Sequence, residues 1–203
     1  MSFNRATAEM LNELTDLAPL GYSMGLHIRF AAPLIYHTTY SESWSRHYND
    51  NSYYLRDPLV FWGIGTTGVT RWSEITLPDP FGVIKQAAGH GLNYGATASC
   101  GPISSRSIIS IGRGDREFSD DELARFSALA QRLHEVNTPP SELTQAQVEA
   151  LKCIANGDRH SAAAAKLGIS ESALKARLKS ARVRLEARTT SEAVRKAREF
   201  RMM

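Results

Sequence analysis

The stretch LGISESALKARLKSARVRL, residues 167–185, decides how this chain is read. Its first four residues have the chemistry of a tight turn. Gly168 is free to take a left-handed conformation, Ile169 is an apolar plug for a core, and Ser170 is a good helix N-cap. From Glu171 to about Leu185, the apolar residues Leu174, Leu178, Ala181 and Leu185 recur at helical spacing, while Lys175, Arg177, Lys179, Arg182 and Arg184 occupy the other positions. One side of this helix fits a core and the rest is cationic. A helix that enters a DNA major groove needs cations to neutralise phosphates and a few long donors for base edges. Lys175 and Lys179, one turn apart, are expected to reach bases, Arg177 and Arg182 to hold phosphates, and Ser170 to contact DNA at the helix start. A cationic run is often only a solvated face, so its surroundings decide between the two readings.

Upstream, Thr144 to Gln147 has the spacing of a capping box and opens a helix that carries Val148, Leu151, Cys153, Ile154 and Ala155 before Gly157 stops it. A second helix is expected from about His160 to Leu167, which gives a helix, a tight turn and a helix. Before them, Thr138-Pro139-Pro140-Ser141 denies two backbone donors and pushes its neighbours out of helical dihedrals, so residues 137–142 read as a linker. The chain therefore divides into residues 1–136 and 143–203. The charges divide too: residues from Ser141 onward carry 13 Lys and Arg against 7 Asp and Glu, whereas residues 1–140 carry 11 against 14. A net +6 beside a net −3 points to a polyanion as the partner of the second part only.

The first part mixes helix and strand signals. Leu11, Leu14 and Leu17 form a stripe on a helix from about Phe3 to Leu17 that Pro19 and Gly21 end. Tyr22 to Phe30 alternates, with Tyr22, Met24, Leu26, Ile28 and Phe30 on one face; after a tight connection at Ala31-Ala32, a β-like run from Pro33 to Tyr40 is its hairpin partner. Helices are expected at 42–49, from Pro58, and at 80–88. Strands are expected at 69–72, 93–101 and 106–112. Ser119 to Glu122 is a capping box opening a helix to about Val136 whose stripe is Leu123, Phe126, Ala130 and Leu133. The fold class is α+β: an antiparallel sheet sandwiched between helices, then an all-α domain. Cys100 and Cys153 lie on either side of the linker without a Cys or His at metal-ligand spacing, so neither a disulfide nor a metal is expected. His27, His37 and His90 read as structural or exposed. Nothing resembling a nucleophile elbow surrounds Cys100, so no enzyme is expected. No run of 18 apolar residues and no export signal is present, and the expected location is cytoplasmic, away from membranes.

Leu143-Thr144, Glu149, Leu151, Gly157, Leu167-Gly168-Ile169-Ser170, Lys175, Leu178, Leu185, Arg188-Thr189 and Ala193 together resemble the four-helix DNA-binding domain of LuxR-type regulators. Ala163-Ala164 replaces that family's acid-isoleucine pair, Arg177 its recognition-helix histidine, and its glycine-leucine-isoleucine ending is absent. The first part resembles the autoinducer-binding domain of quorum-sensing LuxR proteins through Tyr40, Trp44, Tyr48, Asp57-Pro58 and Trp72. That resemblance implies an α-β-α sandwich whose cavity binds an N-acyl homoserine lactone. By position, Trp44 would donate its indole N–H to the lactone carbonyl, Asp57 would accept from the ligand amide, and Tyr40 would donate to the amide or acyl oxygen. Tyr48 and Trp72 would wall the pocket, with Ser110 a further hydroxyl. A neutral lactone-amide head buried among apolar groups needs such partners, since each unpaired polar group costs about 1–3 kcal/mol. Asp57 before Pro58 is also a natural N-cap with proline at the first helical position, and the two roles can coexist. The implied partners are a palindromic operator in double-stranded DNA, a second copy of the chain to read its two half-sites, and RNA polymerase. No cofactor beyond the lactone ligand is implied; a LuxR-like protein that is ligand-independent, that senses another small molecule, or that recruits another regulator stands as the rival reading.

Overall fold

The alternation that starts at Tyr22 builds the strand on which the first half of the molecule is assembled. The computed structural model describes residues 5–29, 32–139 and 143–203; the expected strand end at Phe30, the turn residue Ala31, the helix start at Phe3, and Pro140 and Ser141 of the linker lie outside them. The chain forms two units that meet between Thr138 and Pro139.

In the first unit, α1 (Arg5–Leu17) precedes β1 (Tyr22–Ile28) and β2 (Ile35–Thr38). Then come α2 (Glu42–Asp50), α3 (Pro58–Gly65), β3 (Gly68–Arg71), α4 (Val83–Gly89), β4 (Tyr94–Cys100), β5 (Arg106–Arg113) and α5 (Asp120–Val136). The strands form one antiparallel sheet in the order β2-β1-β5-β4-β3. One face buries Tyr22, Met24, Leu26, Ala96, Ala98, Ile109 and Ile111 against Leu14 of α1 and Phe126 and Leu133 of α5. At about 25 cal/mol per Å² of apolar surface removed from water, burial of this layer stabilises the unit. On the other face lie α3, packed on β4 and β5, and a second cluster built around Trp44, Tyr53, Leu59 and Trp72.

Three local expectations are corrected. The alternation of β1 breaks at His27, which is buried with a φ of +52°, and the β1–β5 register shifts between Gly25 and Ile28. A bulge there turns the imidazole inward, where its Nδ1 meets Ser105 Oγ at 2.9 Å and its Nε2 the His134 carbonyl at 3.0 Å. Trp72 opens a 3-10 turn rather than ending β3. The fourth helix starts at Val83 instead of Pro80, because the Asp79 carboxylate accepts from the backbone N–H of Val83 and Ile84, with Gly82 at a φ of +63° between them.

The second unit contains α6 (Gln145–Ala155), α7 (His160–Lys166), α8 (Glu171–Arg184) and α9 (Thr190–Glu199). Thr144 and Gln147 exchange capping hydrogen bonds, and the Gln147 amide also donates to Ser180 Oγ at 2.8 Å, tying α6 to α8. Gly168 takes a φ of +64° and Ser170 Oγ accepts from the Ala173 N–H, so α7 and α8 meet through a four-residue turn. Leu151, Leu174, Leu178 and Leu185 fill the core, and Ala163, Ala164, Ala181, Ala193 and Ala197 let the helices approach closely.

Candidate functional site

The register places one hydroxyl residue from every strand in a single row across the sheet: Thr38, Ser23, Ser110, Thr97 and Thr70. Their side chains belong to the face opposite the α1–α5 core. Two groups in this row are connected to each other and to Trp72. The Trp72 indole N–H donates to Thr97 Oγ1 at 3.1 Å, and Thr97 Oγ1 shares a proton with Ser110 Oγ at 2.6 Å. Trp72 lies flat on the backbone at Gly95, where a Cβ would come within 2.2 Å of the ring. Tyr40 donates from its hydroxyl to the Ser110 carbonyl at 3.0 Å. Thus Tyr40, Trp72 and Ser110 converge on one patch of sheet. Thr97 is the residue that sequence reading missed; its signal was a lone hydroxyl alternating with the inward-facing Ala96 and Ala98.

Above the sheet, Asp57 caps α3 and is 5% exposed. Its Oδ1 accepts from the Leu59 N–H at 2.8 Å and its Oδ2 from the Tyr48 hydroxyl at 2.8 Å. Of the two readings of the Asp-Pro pair, the cap is realised, and the other carboxylate oxygen is turned toward the aromatic cluster. Burial drives its pKa up from 3.8 to about 6, against the opposing pull of the Tyr48 hydroxyl and of the backbone N–H groups. Burial and the Asp57 charge raise the Tyr48 phenol, and burial raises the Tyr40 phenol, far beyond their ordinary range. Tyr48 is held edge-on between Trp44 and Tyr53, with ring centroids 5.6 and 5.8 Å away. Trp44 is buried as a residue; its indole N–H makes no hydrogen bond among the described residues, and that nitrogen is not one of the buried atoms left without a partner.

A rim unforeseen in the sequence closes this cluster. Gln86 of α4 accepts through one oxygen from the Tyr53 hydroxyl, 2.8 Å away, and faces His47 Nε2 at 2.7 Å. An open groove of about 600 Å³ lies elsewhere, between α5 and the β3–β4 edge, and is lined by Thr67, Ala98, Cys100, Ala124, Ser127 and Ala128 among others. None of the expected ligand residues lines it. No group of three or more metal-ligating side chains occurs among the described residues.

In the second unit, Lys175 and Lys179 are exposed on α8, and Arg177 is half-buried beside them. None of the three forms an ion pair or a side-chain hydrogen bond among the described residues. Arg182 is placed differently: one of its amino groups reaches the Arg188 carbonyl at 3.5 Å, while its buried Nε has no partner. Ser170 is occupied as the helix cap.

An α-β-α sandwich with a hydroxyl-bearing sheet face and a buried carboxylate under aromatic rings is the architecture of a small-molecule sensor. Residues 19–136 match the autoinducer-binding domain, and the chain belongs to that family of sensor domains found in LuxR-type regulators. The transcriptional activator RaiR of Rhizobium etli is 29% identical over 172 residues, spanning 76% of this chain and 71% of RaiR. The crystal structure of Escherichia coli SdiA covers 100% of this chain and 92% of its own, with a TM-score of 0.57 at 21% identity. SdiA in complex with octanoyl-rac-glycerol gives the same TM-score over 98% of this chain and 89% of its own. These homologues are transcription regulators and not enzymes. Among the described residues no helix is long and apolar enough to cross a membrane.

Proposed function

We propose that the protein is a cytoplasmic quorum-sensing transcription regulator whose DNA binding is controlled by an N-acyl homoserine lactone held in the first unit. The observation that carries this reading is Asp57, a buried carboxylate with one oxygen turned toward the aromatic cluster of a domain built to bind autoinducers. Asp57 accepts from the ligand amide N–H, and the unpartnered Trp44 indole donates to the lactone carbonyl. Tyr40 donates to the acyl oxygen, Ser110 supplies a hydroxyl from the sheet, and Tyr48 and Trp72 wall the chain. The second unit acts as a helix-turn-helix domain: Lys175 and Lys179 reach base edges, Arg177 and Arg182 hold phosphates, and Ser170 contacts DNA at the start of α8. Two copies reading the half-sites of a palindromic operator multiply the modest affinity of one recognition helix, and RNA polymerase is the partner downstream.

A different acyl ligand is the second reading. Asp57 already accepts an O–H from Tyr48, so a hydroxyl donor satisfies it as an amide N–H would, and octanoyl-rac-glycerol occupies the related SdiA. The deciding experiment measures DNA binding by the purified protein with and without a panel of acyl-homoserine lactones and octanoyl-glycerol. Mass spectrometry of molecules retained through purification accompanies it. A lactone-dependent change in DNA affinity is expected; an affinity indifferent to every lactone overturns the first reading.

A further inference from the structure

We propose that Tyr48 is a built-in competitor for the ligand: in the empty sensor its hydroxyl occupies the acceptor on Asp57 that the ligand's donor must take, so binding proceeds by displacing it. The inference rests on the proposed function for the identity of the ligand site, and on this structure for the contact itself.

Asp57 is 5% exposed and both its oxygens are in use, Oδ1 by the Leu59 N–H and Oδ2 by the Tyr48 hydroxyl. The first bond is the helix cap and is needed whether or not a ligand is present. The second is spare. A buried carboxylate oxygen without a donor is costly, so an empty site that lacked Tyr48 would have to recruit water or take up a proton. Among the described residues no cation forms an ion pair with Asp57: Arg56, next to it in sequence, is exposed and lies over the Phe81 ring, the carboxylate Asp79 raises the Asp57 pKa, and the phenols Tyr48 and Tyr40 face it. Tyr48 is well suited to stand in. Its ring is gripped between Trp44 and Tyr53, and Tyr53 is itself fixed by Gln86, so little further freedom is lost when the hydroxyl docks. A phenol hydroxyl and an amide N–H are both single donors; since a carboxylate oxygen has more than one lone pair, displacement applies to a ligand donor that approaches along the direction the Tyr48 hydroxyl now takes.

The alternative is a staple, in which Tyr48 ties α2 to α3 in the empty and the loaded protein alike. The two differ in the sign of one effect. For a competitor, removing the hydroxyl tightens ligand binding; for a staple, it weakens binding or leaves it unchanged.

The test uses the full chain and Tyr48→Phe, with N-octanoyl homoserine lactone as the probe and Tyr53→Phe as the control for general loosening of the aromatic cluster. In the empty protein, ¹³C-detected titration of the Asp57 carboxyl reads the contact directly: in Tyr48→Phe its midpoint moves upward by about one pH unit, and in Tyr53→Phe it stays in place. Calorimetry at pH 7.5 gives a Kd roughly three- to tenfold lower for Tyr48→Phe than for wild type. An unmoved Asp57 midpoint overturns the contact. A shifted midpoint with an equal or higher Kd overturns displacement in favour of the staple. If neither protein binds the lactone, it is the lactone reading that fails, and the same comparison is made with octanoyl-glycerol; binding of neither probe to either protein overturns the displacement as well.

Discussion

The two units put their polar chemistry in opposite places. The first buries His27, Asp57, Thr97, Ser99, Arg106, Ser107, Arg113 and His134; among the described residues of the second, the one buried polar side chain is Gln147, which serves as a cap and cross-tie. The second unit keeps its cations on the surface of α8, over a core of leucine and alanine. A buried polar group costs stability unless it is paired, whereas an exposed lysine costs almost nothing. Stability and function therefore oppose each other in the first unit and are independent in the second. That contrast can be broken by substitution.

The largest effect is expected at Asp57. Its rise from 3.8 to about 6 means that holding the carboxylate charged inside the fold costs about 3 kcal/mol at pH 7, at roughly 1.4 kcal/mol per pH unit. Asp57→Asn removes the charge, keeps an oxygen for the Leu59 N–H, and presents an amide that can donate to the Tyr48 oxygen. The empty protein should gain up to about 3 kcal/mol, while ligand affinity falls by about 1.5–3 kcal/mol, the range for a hydrogen bond to a charged group. Thermal melts with and without N-octanoyl homoserine lactone give both numbers. A variant that is no more stable than wild type and equally shifted by ligand would show Asp57 to be only a cap.

In the second unit the same kind of experiment should separate function from stability. Lys175→Ala removes an exposed, unpartnered cation, so the melt should move by less than about 0.5 kcal/mol while operator affinity falls by about 1–3 kcal/mol and discrimination relaxes. Arg182→Ala should instead weaken all DNA about equally, lower the salt slope by about one, and cost some stability through the lost contact to the Arg188 carbonyl. Equal specificity in both variants, measured on the operator and on scrambled duplex, would remove the assigned reading face.

Much of this was legible in the sequence, for reasons that differ by element. The helix stripes, the caps at Ser119, Thr144 and Ser170, and the turn at Gly168 follow from local rules, and the structure repeats them. The aromatic and Asp-Pro pattern located residues that do gather on one side of the sheet. What was hidden depends on register and long-range closure. His27 sat in a clean alternation that its bulge overrides, because the imidazole finds partners in Ser105 and His134, 78 and 107 residues away. Thr97 meets Trp72 and Ser110 only once β4 is paired with β5. Gln86 gave no signal, since its role comes from Tyr53 and His47 on another segment.

The smallest effect is a cancellation. Asp57 has a raised pKa in the folded state, so its stabilising contribution is complete below 3.8 and is lost as pH rises through about 6. His27 is the reverse case: burial, the neighbouring His134 and Arg29 lower its pKa from 6.5 to about 4, so its contribution is present above 6.5 and is lost as pH falls through about 4. Acidification from pH 6.5 to 4.5 therefore stabilises through the carboxylic acid and destabilises through the imidazole. His134, also lowered by burial, adds to the loss. Glu122, held to about 2 mainly by the Arg116 guanidinium, exerts its effect mostly below pH 4.5. Wild type should accordingly show a melting temperature that declines only gently across the window. Asp57→Asn removes the favourable half and should decline steeply. His27→Asn, which tolerates the positive φ at that position, removes the unfavourable half and should hold level or rise as pH falls. Parallel curves for wild type and Asp57→Asn would mean that Asp57 titrates near its ordinary value in the folded protein, and the stability gain expected of that variant at pH 7 would disappear with it.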